Sequence, residues 1–259
     1  MLPSNNTRSV LTAVSAASLL LAGTTGLLAQ AAAPAPPPAN PPWETSAAIG
    51  ITYTTGNTKT LNAIGSILTT RKDKVHEWAF GIDGSYGEND GDKTSESLHG
   101  FGQYNHLFTE KFYVFGRADY LHDDVASIKY RVTVSAGPGY YFIKNSTTTL
   151  NGEFGPGVVF ERLRTANGGR DNNSYVTLRF AERLEHKFNE KTKLWQSVEF
   201  LPQIDDWNNY VVNFELGIDT LLTKKLSLRP YIQDTYDNVP AEVRKKNDFK
   251  FVCAIAYKF

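Results

Sequence analysis

Phe249-Lys250-Phe251-Val252-Cys253-Ala254-Ile255-Ala256-Tyr257-Lys258-Phe259 closes the chain and decides how the rest is read. Phe249, Phe251, Cys253, Ile255, Tyr257 and Phe259 share one side at a spacing of two, and Asp248, Lys250 and Lys258 share the other with Val252, Ala254 and Ala256. A period of two belongs to a β-strand, so this strand has one wholly apolar face and ends on an aromatic. Water offers such a face nothing, whereas the closing strand of an outer-membrane barrel turns alternate apolar side chains to lipid. Its open edge is also something a barrel assembly machine can read by strand addition, which makes Ile255, Tyr257 and Phe259 the candidate assembly signal.

Working back to Trp43, about twelve segments alternate in this way, and none shows a helical period. Tyr210, Val212, Phe214, Leu216 and Ile218 oppose Asn213, Glu215, Gly217 and Asp219; Trp78, Phe80, Ile82 and Tyr86 oppose Ala79, Gly81, Asp83 and Ser85. Tyr130, Val132, Val134, Tyr140 and Phe142 likewise oppose Arg131, Thr133 and Ser135. Residues 95–108, where Phe101 breaks the pattern, and 112–123, where both faces carry aromatics, alternate less cleanly. Short polar turns are expected at 71–74, 109–111, 144–147, 189–192 and 223–225. Longer connections fall between them at 87–93, 123–127, 164–173, 203–208 and 237–247, with a tight one at 55–57. Outer-membrane barrels have this asymmetry, with short turns on the periplasmic side and long loops outside.

The expected fold is all-β: a transmembrane antiparallel up-and-down β-barrel over residues 43–259, with both ends periplasmic and outer-membrane lipid around it. A secreted β-sandwich also alternates, but its strands are typically about five or six residues long. Segments nearer ten residues with open edges would pair with other chains, and closure removes those edges. Aromatics gather toward the segment ends. Trp43, Phe108, Phe112, Phe142, Phe188, Tyr257 and Phe259 form an expected periplasmic girdle, with Tyr53, Tyr86, Tyr120, Phe160, Phe200, Tyr210 and Tyr236 in an outer one.

Ahead of the barrel, Arg8, the apolar run 10–22 and the small residues around Ala29, Gln30 and Ala31 have the form of a cleaved secretory signal, taken as residues 1–31. Residues 32–42 are rich in Pro and Ala and read as an extended periplasmic linker. The 27 Lys+Arg against 27 Asp+Glu leave no net field to attract nucleic acid. One cysteine, Cys253, excludes an internal disulfide, and its place on an apolar face makes it a small hydrophobe.

Several short motifs then align in order: Gly56-Asn57-Thr58, Ser135-Ala136-Gly137-Pro138-Gly139-Tyr140, Glu153-Phe154-Gly155-Pro156-Gly157, Leu201-Pro202, Tyr236-Asp237-Asn238-Val239-Pro240 and Tyr257-Lys258-Phe259. Together they resemble the salt-induced outer-membrane protein family of Gram-negative bacteria, a domain of unknown function, over essentially the whole mature chain. Pro138 and Pro156 depart from the ordinary apolar residue expected in the two glycine motifs. The resemblance implies an outer-membrane barrel and carries over no catalytic, cofactor or ligand residue.

Function would then reside in the lumen. The inward positions give Asp83, Asp119, Glu153, Glu161, Glu199, Glu215 and Asp219 as acids, and Arg117, Arg131, Arg179, Arg183 and Arg229 as bases. A charge-selective porin shows rings of one sign. Mixed signs suit a narrow, weakly selective pore for small solutes, or a lumen filled by ion pairs. Gly137, Gly139, Gly155 and Gly157 are expected to lie at one height and leave a smooth groove, with Pro138 and Pro156 toward lipid; relief of wall curvature is the plainer explanation. A barrel hydrolase would need His122, Asp123, Asp124, Asp205 and Asp206 to converge, which their separation in strand order disfavours. Asp90 and Asp92 lack the spacing of a calcium loop, so no metal or cofactor is expected.

Overall fold

In the computed structural model, residues 42–259 are described except 56–59, 90–91, 166–168 and 242–243. The leader, nearly all of the linker and Asp90 lie outside the described residues. Twelve strands follow one another: β1 (Glu44–Thr55), β2 (Thr60–Lys72), β3 (His76–Asn89), β4 (Asp92–Leu107), β5 (Phe112–Asp123), β6 (Ile128–Lys144), β7 (Thr148–Arg164), β8 (Arg170–Lys187), β9 (Thr192–Pro202), β10 (Tyr210–Leu221), β11 (Leu226–Asp237) and β12 (Asn247–Lys258). Each pairs with its sequence neighbour, and β12 returns to β1 to close the barrel. The closing ladder is antiparallel and runs from Ser46↔Lys258 to Thr55↔Phe249.

Side chains sort by parity as the alternation requires. At the closing seam Ile49 is 75% exposed and Ile255 51% exposed on the outside, while Val252 is fully buried on the inside with Ala48, Ala254 and Ala256. Ile64 and Tyr231 pack onto that inner cluster. Apolar side chains outside and small or polar ones inside invert a soluble protein, and lipid is the solvent that makes the inversion favourable.

The two irregular segments follow from pairing. Phe101 points inward because Gly81, facing it across the β3–β4 ladder, leaves room for its ring; a Cβ on Gly81 would come within 2.3 Å of it. Tyr113 and Phe115 also point inward and form a buried cluster with Leu107 and Tyr141.

All five described short turns are clasped by one device. The side chain of the first turn residue accepts the backbone N–H groups two and three residues on. Asp73 Oδ1 takes Val75 and His76, Thr109 Oγ1 takes Lys111 and Phe112, and Asn145 Oδ1 takes Thr147 and Thr148. Asn189 Oδ1 takes Lys191 and Thr192, and Thr223 Oγ1 takes Lys225 and Leu226. Asp, Asn and Thr are the residues able to do this, which is why each turn begins with one.

Two of the outer loops, those read at 87–93 and 164–173, are shorter than the sequence suggests. β3 runs to Asn89 and β4 resumes at Asp92, while β7 runs to Arg164 and β8 resumes at Arg170. β8 has 18 residues and β6 and β7 have 17 each, against about 9–11 needed to cross a bilayer. Polar residues can continue a ladder beyond the lipid by bonding across it, as Arg162 Nε does to Asn172 Oδ1 at 2.5 Å.

Phe214 and Glu215 give a direct test of the wall's register. Phe214 lies on the lipid face, whereas inside Glu215 accepts Trp195 Nε1 at 2.5 Å and Gln233 Nε2 at 2.9 Å. Phe214→Arg is expected to cost about 2–4 kcal/mol near the midplane, and Glu215→Gln much less. Urea midpoints of refolded barrels in the reverse order would mean that the strand is turned by one residue.

Candidate functional site: the lumen wall

A network of hydrogen bonds and ion pairs crosses the inner wall from β3 to β11. His99 Nδ1 donates to Asp83 Oδ1 at 2.9 Å, and its Nε2 lies 3.6 Å from Asp119 Oδ1. Both ring nitrogens face carboxylates, an arrangement suited to the doubly protonated ring. Arg117 clasps Asp119 through Nε and Nη2 at 2.9 and 2.6 Å, stacks over Phe101, and donates through Nη1 to Gln103 Oε1. Gln103 Nε2 reaches Glu153 Oε1 at 2.7 Å, joining β4 to β7 over the two strands between them. Tyr113 donates to the same oxygen, and Arg179 Nη1 binds Glu153 Oε2 at 2.6 Å. From there Arg179 Nε reaches Glu199 Oε1 at 2.5 Å, Asn213 reaches Glu199 Oε2, and Thr235 reaches Asn213.

Other pairs complete the inner face. Arg229 binds Asp219 through Nε and Nη2 at 3.0 and 2.7 Å. Arg183 binds Glu185 at 3.0 Å and is about half exposed. Toward the periplasmic end, buried Glu77 gathers Tyr141 at 2.6 Å, Asn105 at 3.1 Å and Lys144 at 3.4 Å, tying β3 to β6. The residue types were visible in the sequence. The pairings between non-adjacent strands were not.

At the outer mouth Arg131 Nε donates to Glu161 at 2.7 Å while Nη2 reaches Asp237 Oδ2 at 3.3 Å, so a single guanidinium ties β6 to β11. Arg244, from the β11–β12 connection, donates to Ser127 Oγ in the β5–β6 turn at 2.9 Å. Ser127 has φ 61°, a left-handed conformation rarely adopted by residues other than glycine, and its carbonyl accepts Arg164 N. These contacts bring two outer connections together over a cavity of about 130 Å³ lined by Asp123, Ile128, Arg131, Asp237 and Arg244.

The glycine motifs have a different use from an open groove. Their register is as read, with Ser135↔Gly157 and Gly139↔Glu153 paired. Between these rungs no residues of β6 and β7 pair; Pro138 and Pro156, which lack the N–H, stand exposed in this interval. The backbones close up instead: a Cβ on Gly137 would lie 2.1 Å from Phe154 O, and one on Gly155 2.0 Å from Ala136 O. The Tyr113 ring covers Gly139, and Thr177 and Ser135 crowd Gly157. The glycines receive neighbouring atoms, and no smooth groove remains.

The five hydrolase candidates do not converge. His122 Nε2 and Asp124 Oδ1 meet at 3.4 Å, with His122 Nδ1 bound to Lys129 O. Asp123 caps Ala126 N, whereas Asp205 and Asp206 bond to Gln203 and Asn208 within the β9–β10 connection. Glu96, His122 and Asp124 do place ligand atoms within 4.8 Å of one another. Lys93 binds Glu96 and lies 3.6 Å from Asp124, and Arg164 Nη2 lies 2.7 Å from Asp124, so two bases already balance the two carboxylates. Burial alone would raise the Asp124 carboxyl; Arg164 and His122 outweigh it and hold the group below its usual range.

This barrel, with its glycine-proline motifs and terminal strand, matches along residues 47–259 a family described as a protein of unknown function, DUF481. The chain belongs to that family. Among curated proteins it is similar to the uncharacterized protein YdiY of Escherichia coli (strain K12), 22% identical over 207 residues, covering 80% of this chain and 79% of the relative. Among solved structures it is similar to the NanC porin, with a TM-score of 0.54 at 9% identity, covering 82% of this chain and all of that one. The COG4313 outer membrane channel from Pseudomonas putida F1 gives a TM-score of 0.53 at 10% identity, covering 86% and 99%. At these identities the DUF481 chain shares the fold of outer-membrane barrels.

Proposed function

We propose that this DUF481 barrel is a passive, narrow and weakly selective pore of the outer membrane, without enzymatic activity. One observation carries the reading: most of the inner-wall charges are paired with the opposite sign where they stand, yet Asp83 and His99 in the network's first pair remain 35% and 33% exposed. A wall that water reaches, with acids and bases alternating over a few ångströms, supplies passage with little preference for charge. Export through a cleaved leader and insertion by the barrel assembly machinery place it in the membrane. Passing small solutes of either sign fits an envelope role under salt or osmotic stress.

Planar-bilayer recording on refolded protein tests this. Small ohmic steps with near-equal cation and anion permeability are expected, and Asp237→Asn, which loosens the Arg131 tie across the mouth, enlarges them. A second reading rests on that tie and on the Glu77–Tyr141 bridge, both of which cross the interior. Folded barrel that leaves the bilayer silent would replace the pore by a filled wall with a structural or loop-binding role.

A further inference from the structure

Three of the chain's five histidines lie on the outer face near the periplasmic turns, and two of them are coupled. His76 opens β3 and His106 lies opposite it on β4. Their rings are 5.4 Å apart, and both Nδ1 atoms converge on Tyr104 Oη, at 2.8 Å from His76 and 3.3 Å from His106. One phenol can donate to one imidazole while accepting from the other, so the tyrosine fixes both tautomers. Each ring then keeps Nε2 for another partner, and neither Nε2 has one among the described residues.

The surroundings say what that partner is. Trp78 packs on Tyr104 at 4.3 Å, and Phe108 meets His106 edge-on at 4.8 Å, which places the pair within the aromatic belt where side chains meet headgroups. Arg71, opposite Trp78 in the β2–β3 ladder, lies over the Trp43 ring, and the adjoining turns carry Lys74 and Lys111. The acids nearby are otherwise engaged or outnumbered. Asp73 spends its carboxylate on the N–H groups of Val75 and His76, which hold it below its usual range; Glu77 faces the lumen; Glu110 alone shares the turns with these bases. One ring N–H held in place by the tyrosine, amid basic residues at headgroup depth, fits a phosphodiester oxygen.

We infer that His76, Tyr104 and His106 form a binding site for the phosphate of an anionic phospholipid in the periplasmic leaflet. The imidazole whose Nδ1 accepts the Tyr104 hydroxyl donates its Nε2–H to a phosphate oxygen, Lys74 and Lys111 in the adjoining turns supply charge, and Trp78 and Phe108 flank the glycerol. The site rests on the membrane placement proposed above and is independent of whether the lumen conducts.

Native mass spectrometry of the barrel refolded in a neutral detergent, with phosphatidylglycerol or phosphatidylcholine added, tests the inference. Wild type is expected to retain one phosphatidylglycerol more tightly than phosphatidylcholine. The His76→Gln/His106→Gln variant should need about fivefold more lipid to reach the same occupancy, the factor that one well-placed hydrogen bond supplies. His186→Gln, an outward histidine bonded to Thr148, should match wild type. Tyr104→Phe keeps the ring and the fold while releasing the imidazoles, so it should weaken retention even if the double variant does not refold. Equal retention by Tyr104→Phe and wild type overturns the site. So does equal retention of the two lipids, which would leave only an aromatic belt, or displacement by millimolar inorganic phosphate, which would indicate a soluble anion. A silent bilayer recording with phosphatidylglycerol retained would remove the pore and keep the site.

Discussion

Arg179→Met should lower the stability of the refolded barrel by about 3–5 kcal/mol, the cost of removing one partner from a buried ionic group. The guanidinium is 6% exposed and lies between Glu153 Oε2 at 2.6 Å and Glu199 Oε1 at 2.5 Å, with the Phe115 ring 5.1 Å away. Methionine fills much of the volume and leaves buried Glu153 and the partly exposed Glu199 without their shared cation. Converting both to glutamine in the same chain should recover much of the loss, because neutral amides can bond to Tyr113, Gln103 and Asn213 without a cation. Urea midpoints of wild type, the single variant and the triple variant provide the measurement. A single variant as stable as wild type would mean that water already screens the pair.

The second large effect concerns delivery to the membrane. Tyr257→Ser with Phe259→Ser should sharply reduce the amount of protein in the outer membrane while costing the finished barrel at most about 1 kcal/mol, since the lipid interface is the least demanding part of the wall. In the closed barrel Tyr257 pairs with Ala47 and Leu226, and Phe259 N donates to Thr45 O at 3.0 Å. Those backbone bonds survive serine. An assembly machine instead meets the strand with its edge open and reads alternate side chains, so the aromatics matter most before closure. Comparing membrane levels in cells with urea midpoints in detergent separates the two contributions. Normal membrane levels for the double variant would mean that recognition lies elsewhere.

The wall was legible in the sequence because a period of two runs through the greater part of each strand and slips only toward strand ends, as at Tyr141 and Ile143. Even the resistant segments kept their parity: Phe101 breaks the apolar pattern by filling the hole above Gly81, and only the strand pairing reveals that hole. The lumen was half legible. Inward acids and bases could be named, but Arg131 and Asp237 stand 106 residues apart, and their meeting depends on barrel circumference. Tyr113 lies opposite Gly139 on the neighbouring strand, but aromatics on both faces of residues 112–123 concealed that its ring turns inward over that glycine, and with it the fate of the glycine groove that the sequence suggested. The turn clasps were present all along in Asp73, Thr109, Asn145, Asn189 and Thr223; three residue types doing one job concealed the repeat.

Those five identical clasps have a consequence for ancestry. They divide the wall into five self-contained hairpins, leaving only β1 and β12 to find each other. Excising or duplicating a hairpin between outer loops preserves antiparallel order, an even strand count and the turn chemistry already in use. The circumference can therefore change in steps of two strands without inventing a new corner. Bore width in such a lineage is a matter of copy number, while the side chains that cross the interior must be found afresh at every size.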